Sequence, residues 1–170
     1  TDDAGSLTFD TAPLAEEAAT ALVAAGAAAL APASEALADP RREPAVRRSI
    51  PGVLERISTP AAADVLAEHL LEGDATLRLR ALVALVHIRD QHPDIRLDPG
   101  SLEAALGAEV LGHYRSYQIL GQVASIDPGQ ETVERGLRAA MREELERIFR
   151  LLDLLPPRRD FRSAWAALRS

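Results

Sequence analysis

Four histidines are the first side chains to weigh for chemistry, because imidazole serves as a metal ligand and as an acid or base near neutral pH. His69, His87, His92 and His113 are scattered along the chain and make no local ligand set. The one pair at ligand spacing is Glu109 and His113, four residues apart, with Tyr114 and Tyr117 close by. A catalytic zinc needs a third ligand and an open position, so this pair reads as a surface Glu–His contact. There is no cysteine, which removes thiol nucleophiles, thiolate metal sites and disulfides and leaves the redox compartment open. Ser6, Ser34, Ser58 and Ser101 lack the G-x-S-x-G setting that exposes a nucleophile. Gly107, Gly112 and Gly121 are isolated and form no phosphate loop. They read instead as small residues that let a neighbouring helix approach.

Charged side chains offer two further constellations. Between Glu131 and Leu155, acids Glu131, Glu134, Glu143, Glu144 and Glu146 alternate with Arg135, Arg138, Arg142, Arg147 and Arg150. Paired acids on a helix suit a glycosidase or a di-iron bundle, but at spacings of three and four from arginine they neutralise one another on a wet face. Arg47 and Arg78 hold equivalent places in an internal repeat and are open to a reading as a ligand-binding ladder. The simpler reading pairs each with the acid four residues earlier, Glu43 or Asp74, or with the next repeat. Acids also stand at the starts of the expected helices: Asp39 and Glu43, Asp74, Asp98, Asp127 and Glu131. They compete with any phosphate for the free amides there, so neither nucleotides nor metals are expected to bind. No catalytic, cofactor-binding or metal-ligating residue is assigned, no cofactor is expected, and the chain reads as a non-enzyme.

The elements that place these residues come from one pattern stated twice. Glu43, Val46, Arg47, Ile50, Val53, Leu54 and Ile57 recur thirty-one positions on as Asp74, Leu77, Arg78, Ala81, Ala84, Leu85 and Ile88. Each copy is an acid, an apolar residue, an arginine, then an apolar stripe at helical spacing. Between them a second amphipathic segment opens at Thr59-Pro60. Two helices in about thirty residues is the period of a helical solenoid.

Taken in order, residues 1–10 read as a loosely ordered start. Thr11 caps a helix to Ala25, Gly26 breaks it, and a second helix runs to Ala38; this alanine-rich pair forms a degenerate first unit. After the turn at Asp39-Pro40-Arg41-Arg42, Pro44 opens a third helix, kinked at Pro51-Gly52. A fourth helix starts at Thr59-Pro60 and is expected to end on Gly73 as its cap. Asp74 caps a fifth helix. The loop from Gln91 to Pro99 precedes a sixth, with Leu102, Leu106, Val110, Tyr117 and Leu120 inward. A turn at Asp127-Pro128-Gly129 leads to a seventh from Glu131 to Leu155, with Val133, Leu137, Met141, Leu145, Ile148, Leu152 and Leu155 inward. Pro156-Pro157 ends it, and a short eighth presents Phe161, Trp165 and Leu168. The expectation is all-α: a short right-handed α-solenoid of about eight helices, one domain over 1–170, with repeat-like pairs over 11–89 and longer, irregular pairs over 100–170.

At 170 residues a single domain buries roughly 70% of its unfolded surface. Every one of the 19 basic residues is arginine, which reads as genomic coding bias. Residues 1–40 hold seven acids and no arginine, while 41–170 hold 19 of each. An acidic lead-in on a neutral body repels phosphates, so nucleic acid is not an expected partner. Charges are expected to interrupt every run long enough to span a bilayer, so no direct membrane insertion is expected. No basic flank precedes an apolar segment as in a signal peptide. A start at Thr1 suggests a piece of a longer chain.

The repeat resembles HEAT-like repeats on Asp39-Pro40, Val46-Arg47, Asp74 and Leu79-Arg80, with a register that selects either Arg78 or Arg80. A narrower similarity rests on Val46-Arg47-Arg48-Ser49-Ile50-Pro51, the loop Ile95-Arg96-Leu97-Asp98-Pro99, and Arg147-Ile148-Phe149-Arg150-Leu151-Leu152 followed by Pro156-Pro157. These are similar to the HEAT-like region of bacterial fusion proteins. There, an ATP/ADP-translocase-like or major-facilitator-like membrane domain precedes it and a cyclic-nucleotide-binding domain often follows. The resemblance implies a non-enzymatic interaction or connector module at the cytoplasmic face of a membrane, with a protein or neighbouring domain as partner. Any transport or nucleotide binding then belongs to other parts. HEAT-like repeats also occur in bilin lyases, which need a pocket of converging His, Tyr or acids, and in DNA glycosylases, which need a basic concave face. The oligomeric state is left open.

Overall fold

A computed structural model describes residues 12–126, 131–156 and 161–169. The start over 1–10, the Thr11 cap, the turn at 127–129 and Pro157 lie outside these residues. The described chain is all-helical and holds no strand. Its elements are α1 (Ala12–Ala25), a 3-10 turn (Gly26–Ala29), α2 (Leu30–Ala38), α3 (Pro44–Ile57), α4 (Pro60–Ala67), α5 (Ala75–Gln91), α6 (Pro99–Ile126), α7 (Glu131–Leu154) and α8 (Phe161–Arg169).

The break after α1 is where expected. Gly26 has φ +56°, a left-handed conformation that glycine adopts without penalty. Three buried residues then carry the chain against the body: Ala29, Ala33 and Leu37. The 23-residue stretch Glu16–Ala38 holds an 18-residue window of mean hydropathy 1.5, long and apolar enough by length and composition to cross a membrane. This corrects the expectation that charges interrupt every such run: Glu16, Glu17 and Glu35 sit near the ends of the stretch and leave its middle uncharged.

α3 runs unbroken through Pro51, which is buried, and stops at Ser58, a left-handed residue with φ 50°. The Thr59 side chain then accepts the Ala62 N–H at 3.2 Å and caps α4, with Pro60 at its first position. α4 ends at Ala67 and not on Gly73. The reason lies in His69, whose ring Nδ1 is 3.0 Å from the Val65 carbonyl. That carbonyl is the one the next α-helical bond would use, and the His69 N–H turns to Leu66 instead, at 3.1 Å. The last turn tightens to 3-10 bonding, which buries Leu70 and leaves Leu71 exposed.

α5 is the hub. It packs on α3, α4 and α7, and Leu77, Ala81, Leu82, Ala84, Leu85, Val86 and Ile88 along it are buried. A helix enclosed on several sides needs apolar residues around most of its circumference, which α5 supplies beyond the stripe read from the repeat. Leu54, Leu85 and Ile88 share one core, with Ile57 packed against it. α7 leans on α5 and on both α6 and α8, and Phe149 meets Trp165 of α8 with ring centroids 5.5 Å apart. Leu168 is exposed.

The two long helices depart most from expectation. On α6, Leu102 and Ala105 are buried, but Val110 and Tyr117, expected inward, are exposed. On α7, Val133 is exposed while Arg147, Leu151 and Leu154 join Met141 in the buried face. Both stripes were read from apolar residues alone, whereas the α6–α7 seam is partly polar.

Candidate functional site

Two features are not spent on packing the core: a line of arginines between units, and the outward side of α6. The arginines come first. Arg47 of α3 donates from Nε and Nη2 to the Leu37 carbonyl at the end of α2, at 3.0 and 2.8 Å. Its Nη2 also lies 2.9 Å from Glu72, just before α5. Arg78 repeats this one unit on. Its Nη1 donates to the Glu72 and Gly73 carbonyls at 2.6 and 3.3 Å, and its Nε to Glu109 of α6 at 2.7 Å. Each guanidinium thus reaches back to orphan carbonyls and forward to a carboxylate. Neither arginine pairs with the acid four residues before it; Arg78 reaches forward into the next stretch at Glu109, whereas Arg47 meets Glu72 at the end of its own repeat copy. Asp74 is instead taken by Arg48 at 2.7 Å. Arg80, the rival in register, donates to the Arg48 carbonyl at 2.9 Å, so Arg78 is the counterpart of Arg47.

The line ends on Glu109, which is 5% exposed. One of its oxygens meets Arg78 at 2.7 Å and Arg147 of α7 at 2.9 Å. Arg147 is only 3% exposed, so it does not sit on the wet face expected of α7. Nor do Glu109 and His113 pair: His113 Nδ1 lies 3.0 Å from Glu144 of α7, and Ser116 donates to the same carboxylate at 2.7 Å. A cavity of about 260 Å³ lies here, with Glu72, Arg78, Glu109, Glu144 and Arg147 among its walls.

Chemically the cavity is occupied by its own pairs. Glu72, Glu109 and Glu144 are each engaged by a cation or donor. Ser116 gives its proton to Glu144 and is not presented to a histidine base. Tyr114 and Tyr117 lie outside, on the exposed side of α6. His87 pairs with Glu55 at 2.6 Å on the surface, His92 is exposed in the loop after α5, and His69 is spent on Val65. Ser58 donates to Gln91 at 2.5 Å and Ser101 to Asp98 at 2.8 Å. Among the described residues no group of three His, Asp or Glu is placed to hold a metal ion.

Two caps here titrate below the usual carboxylate range. Burial alone would raise the Asp74 carboxyl, but its bonds from Arg48 and from the Leu77 and Thr76 amides outweigh this and lower it. Asp98 is lowered chiefly by the Ser101 hydroxyl and amide.

The outward side of α6 was missed by sequence reasoning, which turned it inward. Val110, Leu111, Tyr114 and Tyr117 are 48, 50, 58 and 65% exposed. From Ala104 to Ile126 the only formal charges are Glu109, which is buried, and Arg115. A Cβ built on Gly107, Gly112 or Gly121 would meet nothing within 4 Å among the described residues, so no described helix presses on these glycines. The missed signal was the polar line Glu109, His113, Ser116, which marks the α7-facing side. No protein-family model, curated protein or solved structure matches the chain.

Proposed function

We propose that this chain is a non-enzymatic protein-interaction or interdomain connector module, arranged as a short right-handed α-solenoid of HEAT-like helix pairs. The observation that carries the reading is the exposed, almost uncharged face of α6, in a protein of which 26% is charged. A contiguous apolar face of this kind is the usual mark of a protein contact. The equivalent duties of Arg47 and Arg78 support the repeat reading, since two units use one arginine the same way. In the wider resemblance the module belongs at the cytoplasmic face of a membrane, joining a transporter-like domain to its neighbours. Arginines committed to carbonyls and carboxylates favour this over a bilin-lyase-like or nucleic-acid-binding role.

The test is affinity capture by the immobilised chain and by its Leu111→Glu, Tyr114→Glu double variant. A protein held by the first and released by the second is the expected result. Equal capture by both, with unchanged helicity, would overturn the role of this face.

A further inference from the structure

On the reading of α6 as a contact surface, we infer that the occupant of this face is a second copy of the same chain, packed antiparallel about a two-fold axis at Tyr114. Five exposed positions on this face are palindromic in spacing: Gly107, Leu111, Tyr114, Tyr117 and Gly121 follow one another at four, three, three and four residues. A two-fold contact maps residue i onto j and j onto i. Run antiparallel about Tyr114, α6 sets Tyr114 on the partner's Tyr114, Leu111 on the partner's Tyr117, and Gly107 on the partner's Gly121. Large meets large at the centre and glycine meets glycine at the ends. A partner of different sequence places no such condition on the spacing.

The glycines sharpen the point. Each one inside a helix is unfavourable relative to alanine, and among the described residues nothing stands near enough to require the missing Cβ. In the paired arrangement glycine faces glycine at both ends, so neither copy presents a side chain there that would hold the two helices apart. Charge agrees, because a self-contact brings like charges together and this face carries only Arg115, beside the stripe.

The size sets the strength. The stripe spans about 21 Å at 1.5 Å per residue. Its exposed apolar side chains offer on the order of 450 Å² per copy, given 150–250 Å² for an aromatic side chain. Roughly 900 Å² in total lies below the standard specific interface. The dimer is therefore weak and reversible, and forms as concentration rises.

The absence of native cysteine allows a direct test. Sedimentation velocity should show the chain passing from monomer to dimer as its concentration rises towards the high micromolar range. Tyr114→Glu and Leu111→Glu should stay monomeric with unchanged helicity, since both sites are exposed. Under mild oxidation Tyr114→Cys should cross-link to itself. Gly107→Cys should not, but should cross-link when mixed with Gly121→Cys. A chain monomeric throughout, a dimer indifferent to Tyr114→Glu, or self-linking of Gly107→Cys would each overturn the proposal. A monomer that captures a different protein through Leu111 and Tyr114 overturns the second copy and leaves the module reading standing. A monomer with no capture through this face overturns both.

Discussion

Glu109 is a buried carboxylate in the seam between α6 and α7 that meets two arginines. It compensates two guanidinium groups, and one of them, Arg147, is almost wholly buried. Removing the carboxylate strands these charges in a poorly solvated seam. Glu109→Ala should therefore cost about 3–5 kcal/mol, the usual penalty for breaking a buried pair from one side, as read by urea denaturation. Beside the line, Asp74, which pairs with Arg48, makes stability depend on pH. Its folded-state pKa is lowered by Arg48 and the α5 amides against the opposing effect of burial, so the unfolded chain binds the proton more tightly. The contribution is complete above the ordinary carboxylate range and is lost as pH falls through the lowered folded value. Asp74→Asn keeps a capping oxygen but loses the charge. It should be less stable than the parent at pH 7, with the gap closing as pH falls through the lowered folded value of Asp74, measured by paired denaturation curves.

Helices were legible in the sequence wherever one face alone decides the pattern. Pro44, Thr59-Pro60 and Asp74 marked true starts, and the stripe through Pro51 correctly implied continuation. Reading failed where a side chain competed with the backbone or where a buried face was polar. His69 took the Val65 carbonyl and closed α4 early, which no spacing rule foresees. On α6 the apolar stripe at Val110 and Tyr117 pointed out, because Glu109, His113 and Ser116 were held inward by α7. The same physics ranks substitutions by element. Leu85→Ala, in the enclosed α5, should cost roughly 2–5 kcal/mol. Arg138→Ala, whose arginine pairs with Glu134 on the wet side of α7, should cost on the order of 0.5 kcal/mol or less. Thermal denaturation of both variants checks the order.

For the molecule as a whole, the arginine line has a consequence beyond local stability. Arg47 depends on Leu37 behind it and Glu72 ahead, and Arg78 on Glu72 behind and Glu109 ahead. No unit contains both partners of its own guanidinium, so none can come undone without leaving a neighbour's charge or carbonyls unmatched. An array built from nearest-neighbour contacts is free to open unit by unit. Here Glu72, through its carboxylate and its main-chain carbonyl, and Glu109, through its carboxylate, tie these helices together; the amide protons of α3 and α7 are therefore expected to exchange with solvent together, which native-state hydrogen exchange would check.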